Sequence, residues 1–106
     1  MTVRLLAILG LVLAFSAGRL AAAGRLDAGA HTALALLAGG LSIAGHVRSG
    51  TGLDLSATVL LVLAMGLGVF VSGGAVLSHL HLAVAGAAVV LSGSMHVVHL
   101  WERVHT

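Results

Sequence analysis

The sequence predicts an all-α fold, a transmembrane four-helix bundle made of two repeated helical hairpins. Three observations support this prediction. Apolar residues make up 59% of the 106 residues and charged residues only 8%, a composition typical of membrane proteins. The apolar residues form four continuous runs of about 20 residues, the length that a helix needs to cross the hydrocarbon core of a bilayer. Finally, residues 1–50 resemble residues 51–100 when they are aligned without gaps.

Composition also limits the chemistry. The chain has no cysteine, which excludes disulfides, iron–sulfur ligation and covalent attachment of haem. It has no proline to break a helix. The five basic residues are all arginines and are scattered along the chain, so they form no basic stripe and nucleic acid is not an expected partner. Continuous rather than alternating apolar runs argue against a transmembrane β-barrel.

Taken in order, the runs predict one membrane domain over residues 1–106. The helices are expected at about 3–23, 28–47, 54–77 and 79–101. Asp27 is the expected N-cap of the second helix, Asp54 or Ser56 that of the third, and Ser78 that of the fourth. The sequence Ser72-Gly73-Gly74 is expected to break the third run. Connections this short require neighbouring helices to be antiparallel.

The repeat is the most informative feature of the chain. The two halves share 16 identities, against roughly 6 expected by chance for this composition. Because the first run is the counterpart of the third, we expect it to be a retained helix rather than a cleaved signal peptide. The second and fourth helices must then run in the same direction, so equivalent residues lie at the same depth in the membrane.

Four histidines follow the repeat. His31 and His46 are 15 residues apart, and so are His81 and His96. Along a helix this spacing is about 22 Å, and the net rotation of about 60° lets both histidines of a helix face the same partner. The repeat therefore predicts two levels, each with two histidines. Ionisable groups inside a bilayer are costly and usually functional.

Two imidazoles per level favour haem over other cofactors. A structural zinc ion requires four nitrogen or sulfur ligands, and no cysteine or nearby carboxylate completes either level. Iron in haem needs only two axial ligands, because the porphyrin supplies the other four. We therefore expect His31, His81, His46 and His96 to be the metal ligands of two non-covalent haem b groups, one near each membrane face.

Other residues are expected to support these haems. Ser42 and Ser92 each lie four residues before a histidine, where they can accept a hydrogen bond from its ring. Gly18 and Gly68 are expected to leave room beside the level of His31 and His81. We expect two arginines, Arg25 and Arg48, to pair with the haem propionates. The sequence leaves open whether His99 or His79 replaces one of the four ligands.

The pattern resembles the N-terminal haem-binding half of cytochrome b and related four-helix di-haem membrane cytochromes. The residues that carry the resemblance are His31-x14-His46 and His81-x14-His96, with a glycine on each of the first and third helices. The resemblance implies a four-helix bundle with two bis-histidine haems and a role in electron transport. The Pro-Glu-Trp-Tyr quinol motif of the larger family is missing.

The expected function is therefore transmembrane electron transfer by an electron carrier without its own substrate chemistry. The redox donor and acceptor stay open, with a quinone as one candidate, and the chain is expected to work in lipid, alone or as a subunit of a larger complex. A prokaryotic cell membrane with both termini in the cytoplasm is favoured by the composition and by the arginine distribution. Two alternatives remain, a small histidine-containing transporter or proton channel and a cofactor-free accessory membrane subunit.

Overall fold

The computed structural model describes residues 2–69 and 75–105 and has the predicted all-α fold. The described residues form four helices and no strands. The helices are α1 (Thr2–Ala22), α2 (Ala28–Ser49), α3 (Gly52–Val69) and α4 (Ala75–Val104). All four are long and apolar enough to cross a membrane, which is compatible with an integral membrane protein.

Local signals explain the ends of α2. The Asp27 side chain accepts a hydrogen bond from the backbone N–H of Ala30, so the predicted N-cap is confirmed. Helix α2 ends at Gly50, whose backbone is left-handed (φ 71°) and whose N–H donates to the carbonyl of His46. Gly24 has a similar φ of 73° after the end of α1, where its N–H donates to the carbonyl of Ala21 and the N–H of Arg25 donates to that of Leu20. Glycine adopts this conformation without the steric cost that other residues incur.

The starts of α3 and α4 differ from the predicted ones. The N-cap of α3 is Thr51, whose hydroxyl accepts the backbone N–H of Asp54, and not Asp54 or Ser56. Ser56 lies inside the helix and donates to the carbonyl of Gly52. Ser78 is not a cap either, because α4 begins at Ala75. The predicted break at residues 72–74 lies outside the described residues.

The helices form a closed ring in which each packs against two neighbours. Helix α1 contacts α2 and α4, and α3 contacts the same two helices, so α2 and α4 lie diagonally across the bundle. The buried positions recur 50 residues apart in the two hairpins. They are the pairs Ala7 and Ala57, Leu11 and Leu61, Ala14 and Ala64, Ala38 and Ala88, Ser42 and Ser92, and His46 and His96. Small residues dominate this core, which lets the helices approach closely.

The outer surface is as apolar as the core. Large aliphatic side chains such as Leu9, Val12 and Leu37 are more than half exposed on the outside of the bundle. In water such a surface would be unfavourable, whereas lipid chains solvate it. The inverted distribution, with polar side chains buried inside and leucines outside, fits a bundle whose solvent is the bilayer.

Candidate functional site

The four repeated histidines all turn towards the bundle interior and form two pairs. His46 and His96 are fully buried on the side of the chain termini and are called the terminal pair here. His31 and His81 are half-buried at the other end and are called the distal pair. Each pair takes one histidine from α2 and one from α4, the two helices that lie diagonally in the ring.

The distal pair packs against the two predicted glycines. A Cβ added to Gly18 would lie 2.8 Å from Cε1 of His31, and a Cβ added to Gly68 would lie 3.2 Å from Cε1 of His81. Each imidazole thus occupies the space that a side chain on the neighbouring helix would fill. The Nδ1 atoms of His31 and His81 are buried and have no hydrogen-bond partner among the described residues.

The terminal pair is arranged differently, because its two rings stack on each other. The ring centroids of His46 and His96 are 4.4 Å apart and the ring planes differ by 15°. This contact joins the diagonal helices α2 and α4 through the centre of the bundle. Both side chains are completely buried, so every polar ring atom depends on a protein partner.

Asp54 supplies the main partner of His46. Its Oδ1 lies 2.7 Å from Nδ1 of His46, while its Oδ2 accepts from the Thr51 hydroxyl at 2.6 Å and lies 2.8 Å from Nε2 of His99. The carboxylate is fully buried at the first turn of α3. Negative charge is favourable at a helix N-terminus, and three donors satisfy the oxygens.

Arg4 plays the corresponding part for His96. Its Nη1 lies 2.9 Å from Nδ1 of His96, and its Nη2 donates to the hydroxyl of Ser49. Gly45 permits this approach, since a Cβ there would lie 3.3 Å from Cε1 of His96 and 3.7 Å from Nη1 of Arg4. Arg4 therefore reaches the buried ring of His96. The two predicted propionate partners, Arg25 and Arg48, are both exposed.

The serines do not bond to the histidines of their own helices. Ser92 Oγ lies 2.6 Å from Nε2 of His46 on α2. The predicted partner was His96, which lies four residues after Ser92 on α4. Ser42 Oγ is fully buried and has no partner among the described residues, as is also true of Nε2 of His96. The contact made by Ser92 thus has no counterpart in the other half of the repeat.

The other histidines are not placed as ligands. Both ring nitrogens of His99 face carboxylates, with Nε2 2.8 Å from Asp54 and Nδ1 3.3 Å from Glu102. His79 is exposed. His105 is also exposed and stacks on Trp101 with ring centroids 3.7 Å apart.

The order Ser92, His46, Asp54 matches the hydrogen bonding of a serine hydrolase triad, yet its setting does not suit nucleophilic catalysis. Ser92 is fully buried within α4, where no substrate reaches it. Backbone N–H groups in the middle of a helix are already bonded within it, so they cannot form an oxyanion hole. The network is therefore better suited to fixing the ring of His46 than to attacking a substrate.

Hydrogen bonds connect the terminal pair to the surface on the terminal side. They run through Ser92, His46, Asp54, His99 and Glu102. Between the two histidine pairs lie the buried hydroxyls of Ser42 and Ser92 and a cluster of buried apolar side chains. The members of this cluster are Leu11, Ala14, Ala38, Leu61, Ala64 and Ala88.

The terminal pair is closed in this arrangement. Its rings are stacked with centroids 4.4 Å apart, so His46 and His96 would have to separate before both could hold one metal centre between them. At the distal pair, Gly18 and Gly68 leave the imidazoles of His31 and His81 the space that a Cβ would occupy.

Sequence reasoning did not find the contact of Arg4 with His96 or that of His99 with Asp54, and it predicted Asp54 only as a helix cap. A signal was present in the repeat, because Arg4 and Asp54 are equivalent positions three residues before the buried Ala7 and Ala57. An ionisable residue on the buried face of both α1 and α3 predicts that each of these side chains has a partner inside the bundle.

Comparison with protein-family models, with curated proteins and with solved structures finds no match to this chain.

Proposed function

We propose that the chain is a di-haem b-type membrane cytochrome that carries electrons across the bilayer. In this proposal His31 and His81 hold one haem, and His46 and His96 hold the other. The observation that carries the proposal is the placement of the four repeated histidines at two levels, each with one histidine from α2 and one from α4, and the direct contact of His46 with His96. One level is buried and the other half-buried, and their separation of about 22 Å along the helices suits two redox centres, one near each face.

The number of donors supports haem rather than a bare metal ion. The described residues contain no group of three or more histidine, cysteine or acidic side chains that could hold a metal. A zinc site would need four such ligands, whereas haem iron asks the protein for two. When bound, haem would supply a one-electron carrier, and two histidines held for each haem would suit electron transfer rather than oxygen activation.

The hydrogen bonds of His46 support the same proposal. Metal-bound histidines usually donate their second ring N–H to a carboxylate, which orients the ring and raises its basicity. Asp54 stands in that relation to Nδ1 of His46 at 2.7 Å. In the distal pair, the Nδ1 atoms have no such partner among the described residues, so the two levels differ in the hydrogen bonding of their histidines.

The chain's own residues would bind and orient the haems and hold them apart in the bilayer. The outer leucines and valines would hold the bundle in lipid, and a cluster of apolar side chains lies between the two histidine levels. Exchange with a quinone or with a partner subunit would take place at either membrane face. A prokaryotic cell membrane and cytoplasmic termini belong to the same proposal, on the composition and the arginine distribution.

Histidine substitutions with a haem count test the proposal. We expect His31→Ala and His46→Ala each to leave one haem per chain after purification in detergent, because each removes an axial ligand from a different level. His105→Ala is the matched control, since this exposed histidine stacks on Trp101 and lies on neither pair. It should retain two haems. A haem content that is unaffected by both His31→Ala and His46→Ala would contradict the assignment.

A further inference from the structure

Arg4 and Asp54 occupy the same position of the repeat with opposite charge. The contact pattern around them is also repeated. Asp54 reaches His46 and His99, and Arg4 reaches His96 and Ser49, the residues equivalent to those two. The two hairpins thus make the same contacts with donors and acceptors exchanged, because an ionised carboxylate only accepts hydrogen bonds and a guanidinium only donates them.

This exchange determines where the proton lies on His46. Because the Asp54 carboxylate is an acceptor, Nδ1 of His46 must carry the hydrogen that bridges the 2.7 Å contact. In the neutral ring, Nε2 then has a free lone pair. The hydroxyl of Ser92, 2.6 Å from Nε2, can donate to that lone pair. Every polar atom of the His46 ring is therefore satisfied by one tautomer.

His96 has the opposite arrangement. The guanidinium of Arg4 donates to Nδ1 over 2.9 Å, so Nδ1 of His96 must carry the lone pair and Nε2 the hydrogen. That Nε2 is buried and has no partner among the described residues. The two stacked rings consequently carry opposite tautomers, with Nε2 of His46 accepting from Ser92 and Nε2 of His96 carrying the hydrogen.

We propose that Asp54 and Arg4 are positioning residues that fix opposite tautomers on His46 and His96. Asp54 holds the hydrogen of His46 on Nδ1, and Arg4 holds the hydrogen of His96 on Nε2.

Nitrogen NMR of the haem-free protein tests the tautomers directly. The chain is labelled with 15N-histidine, purified in detergent micelles without haem, and the rings are assigned by single His→Ala variants. We expect the Nδ1–H pattern for His46 and the Nε2–H pattern for His96. The same tautomer on both rings, or a doubly protonated His46, would overturn the assignment.

Two variants separate the positioning residues from general packing. Arg4→Met keeps a long side chain without donors, so His96 should lose its single tautomer while His46 keeps its own. In Asp54→Asn, His46 should lose its single tautomer while His96 keeps its own, because the amide can offer either an oxygen or an NH2 group to Nδ1 of His46. Arg19→Gln and Asp27→Asn, matched changes at exposed positions, should alter neither ring. Identical spectra for Arg4→Met and the unmodified chain would overturn the role of Arg4.

Discussion

The packing of His31 against Gly18 makes Gly18→Ala a sharp test of the distal pair. The added Cβ would lie 2.8 Å from Cε1 and 3.1 Å from Nε2 of the ring. Ordinary carbon contacts are about 3.5 Å or longer, so the ring has to retreat by about 0.7 Å. Overpacking of this kind costs about 1–3 kcal/mol.

A glycine without neighbours provides the reference for this prediction. Any alanine in a helix gains up to about 1 kcal/mol in propensity over glycine. Gly66→Ala receives the same gain, and a Cβ there has nothing within 4 Å. The difference between the two variants therefore isolates the packing, and Gly18→Ala should be about 1–3 kcal/mol less stable than Gly66→Ala. Gly68→Ala, with a contact of 3.2 Å to His81, should fall between them.

Reversible unfolding in mixed detergent micelles, followed by helical circular dichroism, measures these differences in the free energy of unfolding. The same samples report haem content, which should fall at the distal level in Gly18→Ala, because its ring is displaced. If Gly18→Ala is as stable as Gly66→Ala and binds haem equally well, His31 does not pack on Gly18 as described, and the account of the distal pair is wrong.

Two further predictions concern the terminal pair and the core. Asp54→Ala removes the shared acceptor of Thr51, His46 and His99 and leaves a buried N–H without a partner, so it should lower the free energy of unfolding by about 3–5 kcal/mol. The control Asp27→Ala removes only an exposed helix cap and should lower it by about 1 kcal/mol in the same assay. Equal effects of the two substitutions would contradict the buried network. Leu61→Ala should lower the free energy of unfolding by about 2–5 kcal/mol, because Leu61 is 4% exposed. Leu63→Ala should lower it much less, because Leu63 is 51% exposed. The reverse order would refute the orientation of α3.

The four helices could be predicted because a bilayer leaves few choices. A backbone that crosses hydrocarbon must bond to itself, so each long apolar run becomes a helix. Local chemistry also identified Asp27 as a cap. The start of α3 was available in the sequence but not recognised, because Thr51-Gly52-Leu53-Asp54 places a hydroxyl three residues before an acidic group, as in a capping box.

The pairing of histidines could be predicted, but the contacts of their rings could not. The repeat and the spacing of 15 residues put His46 and His96 at one level. Spacing does not determine the distance between two diagonal helices or the rotamer of a ring, and these decide whether the rings stack or stand apart. For the same reason Ser92 was expected to bond to the histidine of its own helix and contacts His46 instead.

The buried charges show the same limit. Arg4 and Asp54 lie near helix starts, where a charged residue normally faces water or the headgroups. Only the packed bundle turns both inward to the terminal pair. The alignment of the two halves could have identified them as a matched pair, because an arginine and an aspartate occupy one repeat position beside buried alanines.

Visible spectroscopy of the purified chain tests the central claim most directly. The protein is produced with a haem supply, isolated in detergent, and its oxidised and reduced spectra are recorded together with the haem content per chain. Our account predicts two b-type haems per chain with the sharp bands of low-spin, bis-histidine iron. A chain that stays colourless after haem is supplied, although folded and helical, would contradict the proposed function.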